Sequence, residues 1–457
     1  MSKIADFIGK SARENVLQAL QRARGSEQYH ALLNLTEARA LERADAVDRG
    51  EITGQLAGVP FVVKDNFLAF GAPTTAASKL LEQFQAPLQA TAVEKLEAEG
   101  AICIGKANLD AFAHGGSTEN SAFGPTKNAY DETRVAGGSS GGSAVVTALD
   151  IVPFALGSDT GGSIRQPASF NGVVGVKPTY GTVSRYGVVA MASSTDVIGT
   201  FTTNVADAEL VMGIIAGKDE RDMTTLPDFF TPVATKPAQR IGVIKEFMGE
   251  SVDPEVRART EEYVEALKKA GHTVEEVSLP ILKYTLAMYY IIVPAEVSSN
   301  LARYDGIRYG RRAENAQNLA ELYGRSRDEG FEIENKRRIM IGSYVLSSGF
   351  FDAYYLQAQK ARTLLINEFN TLFESYDMLI GPTTPTPAFK LGENTKDPIK
   401  MYLADIMTVP ASLAGLPALS VPAGVSSTGL PIGVQLIGKR RSDAQLLALA
   451  RSMEATE

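Results

Sequence analysis

The chain has 457 residues, and its apolar content of 44% and charged content of 21% are typical of a soluble globular protein with a large core. The formal net charge of -8 argues against a broad nucleic-acid-binding surface on this chain. The single cysteine, Cys103, excludes an internal disulfide, and its apolar neighbours predict a buried strand thiol.

Predicted helices and strands alternate through the first third of the chain. Residues 1–50 are mainly helical, with a possible short strand at 29–35. Pro60 interrupts an apolar, β-branched segment, which predicts a strand at a sheet edge or a strand that starts there. The further predicted elements are a helix at 91–99, a strand at 101–104, a helix at 140–149 and a strand at 151–156. Such alternation predicts a mixed or parallel sheet covered by helices on both faces.

The second half of the chain continues this alternation around a long helical stretch at 281–376. Predicted strands lie at 240–245, 272–279, 377–381, 416–421 and 432–437, with helices at 253–270 and after 442. Without a repeat or an obvious linker, we predict one α/β domain over residues 1–457. Its parts are an N-terminal helical segment (1–50), a core with a candidate lysine and two serine loops (51–220), and the remaining sheet with a helical, pocket-forming insert (221–457).

The N-terminal residues do not have the pattern of a secretory signal, because they lead directly into a charged amphipathic stretch. No apolar run approaches the roughly 20 residues that a membrane span needs. We therefore predict a cytoplasmic protein.

Three short segments carry candidate catalytic residues. Lys64 ends an apolar run, Ser139 lies in the sequence GGSSGG, and Ser163 follows a pair of glycines. A serine hydroxyl needs a neighbouring base to attack an amide. A lysine buried in an apolar wall can be that base, because burial can lower its pKa by up to ~3–5 units. The alternative is a strand-end lysine that reaches water or pairs with Asp65.

Other interpretations of the two serine loops stay open at this point. The first loop matches the G-x-S-x-G pattern of α/β-hydrolases, for which His272 is the only histidine after Ser139. It could also cradle a phosphate, but it lacks the G-K-[ST] ending of a P-loop. Gly161 and Gly162 suit either a plain turn or an oxyanion hole, where a substrate carbonyl approaches backbone amides.

Together these segments resemble the amidase signature family. The lysine, the GGSSGG loop and the loop GGSIR at 161–165 are its characteristic elements, with Ser139 75 positions after Lys64 and Ser163 24 positions after Ser139. The resemblance implies the amidase signature fold, with a large mixed central sheet. It also implies that Ser163 is the nucleophile, that Ser139 is a bridging serine after a cis peptide bond, and that Lys64 is the base. The implied oxyanion hole consists of the amides of Thr160, Gly161, Gly162 and Ser163.

Within that family the chain is similar to the glutaminase subunits of glutamyl-tRNA(Gln) amidotransferases, through residues 116–128, 298–310 and 336–342. This implies that glutamine is the ammonia donor and that the chain works in a heterotrimer with subunits B and C. The resemblance implies no cofactor on this chain. ATP and Mg²⁺ would be used by the partner subunit, which would also make the main contacts to tRNA.

The same resemblance implies a glutamine pocket. Arg338 would bind the α-carboxylate, Asp405 the α-ammonium, and Tyr289 would form a wall. His114 departs from the family, which usually has an apolar residue there, and it could line this pocket. Two alternatives are a free-standing amidase for small amides and a non-catalytic scaffold, although the latter would predict a damaged triad.

Overall fold

The computed structural model describes residues 1–227, 230–234, 236 and 238–454. The strands of these residues are β1 Leu32–Leu35, β2 Pro60–Lys64, β3 Ile102–Ala107, β4 Phe154–Asp159, β5 Val174–Lys177, β6 Val197–Thr202, β7 Arg240–Ile244, β8 Thr273–Val277, β9 Met378–Pro382, β10 Ala418–Val425 and β11 Pro431–Gly438. The α-helices are α1 Ala12–Arg24, α2 Glu37–Asp48, α3 Thr91–Ala98, α4 Gly141–Ala148, α5 Arg165–Phe170, α6 Val205–Ile215, α7 Pro254–Lys269, α8 Thr285–Asn300, α9 Leu319–Gly330, α10 Ile333–Val345, α11 Leu356–Leu372, α12 Pro398–Leu403, α13 Val409–Leu413 and α14 Asp443–Glu454.

All the described strands form one sheet in the order β1-β3-β2-β4-β6-β5-β10-β11-β9-β7-β8. Strand β2 is parallel to both β3 and β4, and β7 is parallel to β8 and β9, whereas the other neighbours are antiparallel. The sheet is therefore mixed, as predicted from the resemblance. It includes strands from all three predicted parts of the chain.

Helices cover both faces of the sheet. Strand β2 shows this, since its successive side chains point to opposite faces and pack against different helices. In β2, Phe61 and Val63 belong to a core cluster that also includes residues of α3, α6 and α14. Val62, between them, packs into a second cluster with residues of α1, α2 and α4. A third cluster holds the helices α8 and α11 against the β9 and β11 end of the sheet. The α/β prediction with two covered faces is confirmed.

Most predicted strands are present, but the sequence analysis missed β5 and β6 at the centre of the sheet. Each is a short β-branched run with a glycine inside it, and glycine is depleted in strands. Gly199 is required by packing, because a Cβ there would overlap the Val176 carbonyl of the neighbouring strand. Pro60 starts β2, which lies inside the sheet and not at an edge.

The fold brings together residues far apart in sequence. The end of β2 and the end of β4 lie near each other, since these two strands are parallel neighbours. The helices α8–α11 are inserted between β8 and β9. Within the described residues, no helix combines the length and the apolar character needed to cross a membrane.

Candidate active site

Lys64 is the last residue of β2, and its side chain is fully buried. Its Nζ donates hydrogen bonds to Ser139 Oγ at 2.8 Å and to Ser158 Oγ at 2.9 Å. Burial lowers the pKa of Lys64 to about 7, although the charge of nearby carboxylates, that of Asp110 first, opposes the shift. A large fraction of this lysine is therefore neutral near pH 7, with a lone pair that can accept a proton.

The structure does not support the alternative interpretations of this lysine and of Ser139. Asp65 forms an ion pair with Lys106 at 3.1 Å, and Lys64 does not reach the surface. His272 precedes β8 at the opposite edge of the sheet, where its Nδ1 accepts the amide of Gln239 at 3.2 Å. A triad of the α/β-hydrolase type with His272 is therefore wrong for this chain.

The first serine loop leads from residue 137 into α4 and is fixed by Gln166. The Gly138 amide donates to Gln166 Oε1 at 2.9 Å, while Gln166 Nε2 donates to the Gly116 carbonyl at 2.6 Å. The peptide bond between Gly138 and Ser139 is cis, as the resemblance implies. Gln166 thus connects the loop of Ser139 to the 115–117 segment and, through α5, to the loop of Ser163.

The second serine loop lies between β4 and α5, and a buried ion pair holds its two ends. Arg165 Nη2 binds Asp159 Oδ1 at 3.0 Å, and both side chains are fully buried. Asp159 Oδ2 also accepts the Ile164 amide at 3.1 Å. The Ser140 amide donates to the Ser163 carbonyl at 3.3 Å, which joins the two serine loops.

The amides of Gly161, Gly162 and Ser163 find no acceptor among the residues that the structure describes. Both glycines are required by close packing. A Cβ on Gly161 would lie 2.7 Å from the ring and hydroxyl of Tyr289, and one on Gly162 would overlap the Thr408 hydroxyl. The amides therefore keep their hydrogens unpaired within the described fold, which is what an oxyanion hole requires of its donors.

Arg338 lies on α10 and is buried, with 3% of its surface exposed. Its Nε donates to Glu334 Oε1 at 2.9 Å, and the Tyr402 hydroxyl donates to the same oxygen at 3.0 Å. The guanidinium lies 5.4 Å from the ring centroid of Tyr290 and 5.9 Å from that of Tyr402, which fixes its plane. None of the described residues accepts a hydrogen bond from its two terminal nitrogens, Nη1 and Nη2.

Asp405 lines the same cavity as Arg338 and is half-buried. Its Oδ1 is buried and has no hydrogen-bond partner in the described part of the chain. A Cβ on Gly116 would lie 3.2 Å from Asp405 Oδ2, and one on Gly162 would lie 3.3 Å from Oδ1, so the carboxylate borders the loop that contains Gly162 and Ser163. Burial, and then the charge of Asp159, raises the pKa of Asp405 to about 7. A bound cation would stabilise its ionised form.

Sequence reasoning missed several residues that hold the site together. Ser158 accepts hydrogen bonds from Lys64 and, at 3.1 Å, from Asn66 Nδ2. Thr160 Oγ1 donates to Asp196 Oδ1 at 2.7 Å, which positions the first residue of the proposed oxyanion loop. Ser158 precedes the second serine loop by only a few residues, but no motif marks it in the sequence, and only the pairing of β4 with β2 places it beside Lys64.

The comparisons with known proteins concern the family and the fold of the whole chain. The family described as Amidase matches residues 14–447. The chain belongs to the amidase signature family. It is 54% identical to the A subunit of the glutamyl-tRNA(Gln) amidotransferase of Thermosynechococcus vestitus, over 93% of this chain and 90% of that protein.

Solved structures of this family share the whole architecture of the chain. The crystal structure of the glutamyl-tRNA(Gln) amidotransferase A subunit from Thermotoga maritima is 40% identical, with a TM-score of 0.83, and the match covers 100% of this chain and 95% of that one. A bacterial aryl acylamidase of the same family is 26% identical with a TM-score of 0.87, over 100% and 96% of the two chains. The amidase signature fold is confirmed. No group of three or more potential metal ligands occurs among the described residues.

Proposed function

We propose that this chain is the glutaminase subunit of a glutamyl-tRNA(Gln) amidotransferase and works in the cytoplasm. The observation that carries the proposal is the contact between buried Lys64 and Ser139 beside the open amides of the Ser163 loop. An identity of 54% over most of the chain to the A subunit of such an enzyme supports the choice of substrate.

In the proposed chemistry, Ser163 Oγ attacks the side-chain amide carbon of glutamine. The proton of Ser163 passes to Ser139, whose own proton passes to the neutral amine of Lys64. The developing negative charge on the amide oxygen is stabilised by the amides of Thr160, Gly161, Gly162 and Ser163. The protonated relay then delivers a proton to the departing nitrogen, which leaves as ammonia, and a glutamyl ester stays on Ser163. Water hydrolyses this ester to glutamate.

The cavity supports an amino acid as the substrate. In the proposal, the Arg338 guanidinium binds the α-carboxylate and Asp405 binds the α-ammonium, while Tyr289 packs against the loop that receives the amide. The Arg338 side chain and the Asp405 Oδ1 atom are buried, and each charged group has polar atoms without a partner among the described residues. A zwitterion would supply a carboxylate for Arg338 and an ammonium for Asp405 together, which a simple aryl amide cannot do.

The proposal includes a heterotrimer with subunits B and C. The ammonia passes to the partner that amidates glutamate on tRNA(Gln) with ATP and Mg²⁺, and that partner makes the main tRNA contacts. This chain needs no cofactor for the amide hydrolysis, since the base, the nucleophile and the amide donors are its own. We also propose that residues 1–457 act as one domain, with the parts predicted from the sequence.

The test is the rate of ammonia release from glutamine by the chain co-purified with its partners, with and without ATP and glutamyl-tRNA(Gln). A rate that rises sharply with the tRNA substrate supports the coupled amidotransferase. A rate that ignores tRNA, with small aryl amides cleaved faster than glutamine, would instead assign the chain to the free-standing amidases. Ammonia is quantified against a matched reaction with the Ser163→Ala variant, which controls for contaminating glutaminases.

A further inference from the structure

His114 is a buried histidine that the proposed chemistry does not use. It follows a short turn at Ala111–Ala113, with none of its surface exposed. Its carbonyl accepts the Asn120 side chain at 3.2 Å, and the next two residues, Gly115 and Gly116, line the cavity of Arg338 and Asp405. The histidine therefore lies directly behind the proposed glutamine pocket.

Asn335 fixes which nitrogen of the histidine carries the hydrogen. Asn335 Nδ2 lies 2.9 Å from the Ala111 carbonyl, which can only accept, so this amide atom is the donor. The same Nδ2 lies 2.6 Å from His114 Nδ1, which must then be the acceptor. In a neutral imidazole the hydrogen is consequently on Nε2.

The Nε2 atom of His114 is a hydrogen-bond donor without an acceptor among the described residues, although it is completely buried. Buried polar groups normally have partners, so an unpaired donor at this place indicates a missing acceptor. Burial, and then the charge of Arg338, holds the pKa of His114 well below its usual value. Asn335 and Arg338 are one turn apart on α10, so the histidine and the guanidinium adjoin the same helix face.

We infer that His114 Nε2 donates a hydrogen bond to the α-carboxylate of the substrate, beside the Arg338 guanidinium, and that Asn335 positions the histidine for this contact. This inference rests on the proposed function, since it assigns a further recognition residue to the same pocket. A neutral donor adds a second hydrogen bond to the carboxylate without placing another positive charge next to Arg338. His114 then helps select amides that carry an α-carboxylate.

The test compares glutamine with 4-aminobutanamide, which keeps the ammonium and the amide but has no carboxylate. The variants are His114→Met, which removes the donor, and His114→Gln, which can accept from Asn335 and still donate. We expect His114→Met to raise KM for glutamine about 10- to 100-fold, the range for a hydrogen bond to a charged group, with kcat changed less than about 3-fold. We expect His114→Gln to recover most of this loss.

For 4-aminobutanamide we expect kcat/KM to be the same in the wild type and in His114→Met. The inference is overturned if KM for glutamine is unchanged in His114→Met, or if both substrates are affected equally, which indicates a packing role. Thermal unfolding of each complex shows whether a variant is folded. If His114→Met does not fold, KM for glutamine is compared between His114→Gln, which keeps the donor, and Asn335→Leu, which removes the residue that positions His114. A wild-type complex that releases no ammonia from glutamine would overturn the proposed function as well.

Discussion

Two fully buried lysines on adjacent parallel strands have different surroundings. Lys106 on β3 forms an ion pair with Asp65 and donates to the Phe67 carbonyl at 2.6 Å and to Thr74 Oγ1 at 2.9 Å. Lys64 on β2 contacts serine hydroxyls and has no carboxylate oxygen within 4.0 Å among the described residues. Burial alone does not make a base, because a partner carboxylate keeps a lysine charged. The lysine without an ion pair is therefore the candidate base.

A third buried lysine extends this comparison. Burial, and then the charge of Arg165, lowers the pKa of Lys177 to about 7, the same value as for Lys64. Its Nζ donates to the Pro178 carbonyl at 3.0 Å, and no serine hydroxyl is its partner in the described structure. A lowered lysine pKa thus indicates a catalytic base only when a serine hydroxyl that can give up its proton lies within reach. Substitutions at the two serines and at the lysines should therefore differ widely in their effect on turnover.

The greatest loss of activity is expected for Ser163→Ala, which removes the proposed nucleophile. Ammonia release from glutamine should fall by at least about 10³-fold. Association with the partner subunits should be unchanged, because Ser163 is buried and does not belong to the protein surface. Steady-state ammonia assays and size-exclusion chromatography measure the two quantities. Residual activity above about a tenth of the wild-type rate would contradict the nucleophile assignment.

Lys64→Met should be about as damaging to kcat, because the lysine and the serines act as one unit and their losses are not additive. Methionine keeps the length of the side chain and removes the amine. The double variant with Ser163→Ala should therefore be no slower than either single variant. If Lys64→Met retains most of the wild-type rate, the lysine is structural and the comparison with Lys106 fails.

The pH dependence of kcat should follow Lys64. The base must be unprotonated, so kcat at saturating glutamine should rise with pH, level off above the Lys64 pKa of about 7, and fall about tenfold per pH unit well below it. The parameter kcat/KM also depends on the ionisation of Asp405 in the free enzyme, whose pKa burial raises to about 7. A kcat that is flat from about pH 5.5 to about pH 8.5, a range that lies on both sides of this pKa, would contradict a lysine base.

A smaller effect is expected for Ser158→Ala, about tenfold in kcat, because the hydroxyl orients the amine towards Ser139 without entering the reaction. Its oxygen also accepts from the protonated amine, so its removal should lower the kinetic pKa. The pH–kcat profile of this variant tests both points. A Ser158→Ala enzyme with an unchanged rate and an unchanged profile would limit the site to Lys64 and the two predicted serines.

The least change in kcat, below about 3-fold, is expected for Lys106→Met, although this variant should be strongly destabilised. It leaves the buried Asp65 without its cation, which typically costs about 3–5 kcal/mol. Denaturant unfolding of the chain measures that loss. The double variant Lys106→Met, Asp65→Asn should recover part of it, and a single variant as stable as the wild type would show that Asp65 is neutral in the fold.

The sequence identified the catalytic candidates because each lies in a short, distinctive motif. The apolar run before Lys64 left a buried base and a strand-end lysine both open, and the glycine pair before Ser163 suited a plain turn as well as an oxyanion hole. The combination of the three motifs, and not any one of them, favoured the catalytic interpretation. Ser158 was not predictable in this way, since a lone serine on a strand has no pattern of its own. The contact between His114 and Asn335 joins residues 221 positions apart, and only the fold brings them together.

The two opposite charges of the proposed pocket also connect ligand binding to the stability of the fold. A zwitterion would pair its carboxylate with Arg338 and stabilise the ionised form of Asp405 with its ammonium, whereas the unfolded chain offers no such arrangement. A ligand that binds only the folded form stabilises it by RT ln(1 + [L]/Kd), about 2.7 kcal/mol at a hundredfold excess over Kd. If glutamine is the ligand, as we propose, adding it should raise the midpoint of thermal unfolding of this protein, whereas an amide without the α-carboxylate should raise it less.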